Sequence, residues 1–184
     1  SIDITNNNSV SDDAFIEFVK GCPKLTCVVI SACHWLTRPS LLAIMKFLPN
    51  LKELSCADGR SGQSCCDTTL TCLARLHPNL ELLSISCCPE VTIAGITTVT
   101  NTFRSLHTFN GNGVGPQITD DVVIALLQAN PHLLTLSVGG SGITDVTLYF
   151  IAHNRPMMKL LRILKCPGVT VAGISAVVYS CPNF

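Results

Sequence analysis

The sequence predicts an α/β solenoid: a right-handed coil of short strand–helix units, with a parallel sheet on the concave face and helices on the convex face. Three observations predict it. An apolar–x–x–apolar–x–apolar segment returns at intervals of 26, 29, 26, 27 and 25 residues. An aliphatic–hydroxyl pair follows most copies, and a proline closes most of the helical stretches that come after it. The chain is 47% hydrophobic and 13% charged, enough core material to exclude a disordered chain.

The strand segments are Leu25-Val28-Ile30, Leu51-Leu54-Cys56, Leu80-Leu83-Ile85, Leu106-Phe109-Gly111, Leu133-Leu136-Val138 and Met158-Leu161-Ile163. Ile2 and Ile4 fit the end of an earlier copy, and Phe184 fits the start of a later one. The hydroxyl pairs are Val10-Ser11, Leu36-Thr37, Val91-Thr92, Ile118-Thr119, Ile143-Thr144 and Val169-Thr170. A hydroxyl there suits a helix N-cap, because its oxygen accepts an orphan backbone N–H. Asp12, Asp120 and Asp145 follow it and complement the positive end of the helix dipole. Pro23, Pro49, Pro78, Pro131, Pro156 and Pro182 then switch the chain from helix back to strand. Neither a short strand nor a short helix can bury its apolar face alone; stacked copies share one continuous core.

Segments such as Leu80-Glu81-Leu82-Leu83-Ser84-Ile85-Ser86-Cys87-Cys88-Pro89-Glu90-Val91-Thr92 resemble the cysteine-containing leucine-rich repeat. The resemblance implies a leucine-rich-repeat solenoid (horseshoe). It covers residues 1–184 as a single domain of about seven units. This repeat type is common in F-box proteins, so it also implies a protein-interaction array of the kind that selects substrates for a ubiquitin ligase. No F-box is present in this sequence. The third repeat departs from the pattern by an insertion, Asp58 through Cys66, and the fifth by Gly111-Asn112-Gly113-Val114-Gly115-Pro116-Gln117. The opening Ser1-Ile2-Asp3-Ile4 reads like mid-strand, so a fragment of a longer protein is expected.

Candidate chemistry is sparse. Cys33, Cys88 and Cys166 share one repeat position and Cys22 and Cys181 another, the periodicity of small buried residues. The adjacent pairs Cys65-Cys66 and Cys87-Cys88 lack zinc-ligand spacing, so no metal or cofactor is expected. Cys65 or Cys66 is the candidate reactive thiol. The glycine runs at 111–115 and 139–142 lack the Lys-Ser/Thr that closes a phosphate loop. His34, His77, His107, His132 and His153 show no paired spacing, and no nucleophile motif stands out. An enzyme is not expected.

What remains is surface. Strand residues between the apolar positions face the concave side. The central column is Asp3, Val29, Ser55, Ser84, Asn110, Ser137 and Arg162, and the next is Thr5, Ser31, Ala57, Ser86, Asn112, Gly139 and Leu164. Charge collects near the C-terminal end at Lys159, Arg162 and Lys165. The single tryptophan, Trp35, lies after the second strand between His34 and Arg38, the composition of a binding hot spot. It either stands exposed there or folds back beneath the insertion, whose Arg60 and Gln63 are expected on the same edge. The expected partner is another protein, with ubiquitin-ligase subunits engaged through sequence outside this chain; a structural scaffold or adaptor is the alternative. Twelve Lys and Arg against twelve Asp and Glu give zero net charge, which argues against nucleic acid. No apolar run approaches a membrane span. Eleven cysteines, an odd number, favour a reducing intracellular setting, cytoplasmic or nuclear.

Overall fold

The structure is a computed structural model that describes residues 1–57, 65–115, 118–140 and 142–184. Among the described residues, seven strands alternate with seven helices. The strands are β1 (Ile2–Asp3), β2 (Cys27–Val29), β3 (Glu53–Ser55), β4 (Leu82–Ser84), β5 (Thr108–Asn110), β6 (Thr135–Gly139) and β7 (Leu160–Leu164). The helices are α1 (Asp12–Gly21), α2 (Arg38–Phe47), α3 (Asp67–Leu76), α4 (Ile93–Thr102), α5 (Asp120–Ala129), α6 (Asp145–Asn154) and α7 (Val171–Ser180). The strands form one parallel sheet in chain order. Strands stack about 4.8 Å apart and helices 8–10 Å apart. Equal numbers of each therefore bend the array with the sheet inside, and the chain is a leucine-rich-repeat-like solenoid.

The predicted apolar positions form the core. Val28, Leu54, Leu83, Phe109 and Leu136 are at most 2% exposed and stack in register between sheet and helices. Leu161 and Ile163 at one end and Ile2 and Ile4 at the other are half-buried, since each packs against a neighbour on one side. Six predicted prolines fall two residues past a helix end. At that junction the first residue past the helix is often bonded to the neighbouring unit: His77 Nε2 to the Met45 carbonyl at 3.0 Å, Asn130 Oδ1 from the Leu106 N–H at 2.9 Å.

The hydroxyl residues start the helices as expected. Their strongest bonds, however, run to the preceding unit. Asp12 accepts from the Thr37 N–H and from the Thr37 and Ser40 hydroxyls. Asp67 accepts from the Thr92 N–H and hydroxyl, Asp120 from both groups of Thr144 and of Thr147, and Asp145 from both groups of Thr170. The first-turn aspartates thus stitch one helix start to the next, a role beyond the expected dipole one.

Among the described residues, the turns after six of the strands carry a residue with positive φ at one repeat position: Asn6, Ala32, Cys87, Gly113, Gly140 and Lys165. At four of them the N–H donates to the next unit: Asn6 to the Ser31 carbonyl, Ala32 to Ala57, Cys87 to Asn112 and Gly140 to Leu164. Glycine occupies two of these six places, so glycine spacing in the sequence does not reveal them.

Candidate functional site

Of the predicted site residues, Ser55, Ser84, Asn110 and Arg162 fall in one row. The strand register aligns Asp3, Val29, Ser55, Ser84, Asn110, Ser137 and Arg162 across the sheet. Asn112 lies one pleat further on, in the column that aligns Gly139 with Leu164. The floor is less exposed than outward-facing strand residues were expected to be. Ser84 and Ser137 are 8% and 6% exposed, because concave curvature crowds larger neighbours over small side chains. Ser55 shares a 2.8 Å hydrogen bond with Ser31, and Asn110 accepts from the Asn112 N–H.

A third column, missed in the sequence reading, flanks this row: Cys27, Glu53, Leu82, Thr108, Thr135 and Leu160. Two residues before the central position on each strand, it follows from the same period of two. The two columns line a shallow groove whose ionic side chains are Glu53 and Arg162, toward opposite ends. The Cys27 thiol pKa is raised, first by burial and then by its bond to Glu53.

The three C-terminal cations do not cluster. Lys159 precedes β7, Arg162 is at its centre and Lys165 follows it. An extended strand separates the first from the last by about 20 Å. Lys165 instead shares a depression at the strand exit with Asn112, Gly113, Gly139 and Gly140.

His34 and Trp35 occupy the loop edge ahead of α2, and Arg38 is the helix's first residue. Trp35 is 64% exposed, which settles its position in favour of the surface. Arg38 reaches Glu90 at 3.5 Å, an ion pair between units two apart. Arg60 and Gln63 lie outside the described residues.

The cysteines correct one expectation. Cys65 and Cys66 are 3% and 7% exposed and take the places of the aliphatic and hydroxyl residues ahead of α3. The insertion therefore stops short of them. The Cys65 thiol is pushed well above its usual pKa by bonds to Cys56 and Cys88 and by burial, which keeps it protonated and unreactive. Burial opposes the Cys66 thiolate too, but the Thr69 hydrogen bonds and the Arg38 charge outweigh it and lower the pKa. Cys33, Cys88 and Cys181 donate to carbonyls of the neighbouring unit, Ile4, Cys56 and Arg155. Among the described residues, no group of three or more His, Cys, Asp or Glu is arranged to hold a metal ion. Nor is any helix among them long and apolar enough to cross a membrane. His77 is buried, and burial lowers its pKa against the opposing bond to Met45; His34, His107, His132 and His153 are exposed.

No protein-family model matches the chain. It is 32% identical over 115 residues to the antagonist of mitotic exit network protein 1 of Candida albicans, covering 54% of this chain and 17% of that protein. It is 28% identical over 154 residues to the Candida glabrata protein of the same name, covering 83% of this chain and 28% of that one. The chain thus spans less than a third of the length of these curated relatives. A chain in the crystal structure of the Rad7 and Elc1 complex in yeast superposes with a TM-score of 0.68 at 19% identity, over 94% of this chain and 51% of that one. The similarity is one of fold.

Proposed function

We propose that this chain is a protein-interaction module that holds a partner on its concave face and the adjoining loop edge. The observation that carries the reading is the groove itself. It is lined by hydroxyl, amide and aliphatic side chains, with single ionic groups far apart, so it presents a recognition surface and lacks the convergent titratable set a catalytic site needs. The reading is therefore non-catalytic and requires no cofactor. Zero net charge favours a protein over a nucleic acid as partner. The structural neighbour comes from a protein complex, and the sequence relatives are named as antagonists of a mitotic exit network. Both are in keeping with an adaptor of an intracellular regulatory system, in cytoplasm or nucleus. Its specific form would be the substrate-recognition arm of an F-box-type ubiquitin ligase. A scaffold subunit with one fixed neighbour is the second reading, favoured by the loop edge at Trp35, where a single constant contact could sit.

Affinity capture of the full-length protein from its own cells, followed by mass spectrometry, tests the proposal. Cullin-type ligase subunits support the ligase arm; one stoichiometric partner without them supports the scaffold; no stoichiometric protein refutes the module. Within a captured complex, Trp35→Ala is expected to weaken binding by about 2 kcal/mol if the loop edge is the hot spot. Unchanged affinity in a folded variant places the contact elsewhere.

A further inference from the structure

The concave face is electrically lopsided. Residues 146–184 hold Arg155, Lys159, Arg162 and Lys165 and no Asp or Glu. Arg155 turns its guanidinium onto the Leu127 and Asn154 carbonyls. Arg162 stands exposed, and among the described residues it has no ion pair or side-chain hydrogen bond. At the other end of its row lies Asp3, and Glu53 lines the groove between. Along the concave columns an anion therefore meets a cation at β7 and carboxylates at β1 and β3.

The surroundings of Arg162 specify more than charge. β7 alternates, with Leu161 and Ile163 turned inward and Leu160, Arg162 and Leu164 outward; the two outward leucines are 36% and 48% exposed. These three side chains are spaced at about 6.6 Å, the i to i+2 repeat of an extended peptide and longer than one helical turn. Beside them the surface drops to Ser137 and to the glycine-floored depression that ends at Lys165. A free anion uses none of the apolar area. The guanidinium fork fits a carboxylate or a phosphate, but with Lys159 and Lys165 each about 10 Å away along the strand, the singly charged carboxylate is the better match for one isolated arginine.

We propose that the C-terminal third of the concave face binds an extended acidic segment of a partner protein. An Asp or Glu carboxylate pairs with Arg162, and apolar side chains two residues away on either side rest on Leu160 and Leu164. This deepens the reading of the chain as a protein-interaction module and rests on it.

The test pans random nine-residue peptides displayed on phage against the wild-type chain and against Arg162→Glu and Arg162→Gln, each checked for folding by circular dichroism. Wild type is expected to enrich peptides with Asp or Glu spaced two residues from an aliphatic. By fluorescence anisotropy, the best of them should bind each variant at least tenfold more weakly, and weaken further as salt rises. Enrichment without acidic residues, equal binding to the variants or no enrichment overturns the proposal. Tighter binding with phosphoserine in the acidic place also overturns it, in favour of a phosphorylated partner. Capture of the full-length partner equally by wild type and Arg162→Glu would sink this inference while leaving the interaction module standing; loss of all partners from both would sink the module as well.

Discussion

The start of α6 and the start of α3 occupy equivalent places and are held in opposite ways. At α6, Asp120 of the preceding helix accepts from the backbone N–H and hydroxyl of both Thr144 and Thr147. At α3, the preceding helix begins with Arg38 in place of an aspartate, and Cys66 caps in place of threonine with its N–H on Thr69. Arg38 is turned outward to Glu90, beside the exposed Trp35. The difference teaches where this solenoid spends its polar groups. Regular junctions use them inward, to lock neighbouring units. The α2–α3 junction instead leaves Arg38 for the surface, next in sequence to the loop where Trp35 stands in the open.

The contrast can be broken from either side. Asp120→Ala should have the largest effect. It strands four donors at a part-buried junction and is expected to cost about 2–3 kcal/mol in chemical denaturation. Gly95→Ala probes the Asp67 junction, where an added Cβ would run into the Asp67 carboxylate and meet Leu70 at 3.0 Å. Helix propensity alone predicts a gain of about 1 kcal/mol. Displacement of the carboxylate from Thr92 reverses the sign, to a net loss of about 1–2 kcal/mol; a more stable variant would show that the aspartate bond carries little.

Acidification reads the same bonds together. Burial opposes the carboxylates of Asp12 and Asp120, but the hydroxyl and backbone donors outweigh it and hold both below the ordinary aspartate value of 3.8. Their contribution is therefore fully present above the unfolded value and is lost as pH falls through 3.8 and then through the lower folded values. The drop in melting temperature from pH 6 to pH 3 should be smaller in Asp120→Ala than in wild type. His77 acts in a separate window: kept neutral by burial, it costs stability as pH falls below its ordinary 6.5. Arg38→Ala sits at the small end, because the pair with Glu90 is 48% and 44% exposed; the change should stay below about 0.5 kcal/mol.

The strand phase was legible in the sequence because a parallel sheet preserves it. Once Leu54 and Leu83 were placed in the core, Ser55 and Ser84 had to align, and they do. Prolines and hydroxyls marked the helix ends for the same reason, each acting through local backbone chemistry. What escaped notice depends on contacts between units. Asp12 looked like a dipole partner because its bonds to Thr37 and Ser40 cross 25 and 28 residues. Cys65 and Cys66 looked like loop thiols because cysteine replaces both landmark residue types at once. Ala32 and Cys87 adopt positive φ with no glycine to announce it. The cations Lys159, Arg162 and Lys165 looked like a cluster because sequence proximity hides the length of an extended strand.

The claim that the concave face holds the partner is tested most directly by filling it. Asn110 is half-buried at the centre of the groove, and its side chain points away from the core. Full-length wild type and Asn110→Trp, matched for circular dichroism and melting temperature, would each be used to capture partners from the cells of origin, with the yield measured by quantitative mass spectrometry. The account predicts a stoichiometric partner on wild type that falls at least tenfold on Asn110→Trp. A partner retained in full by the blocked groove would contradict it and move the contact to the loop edge at Trp35.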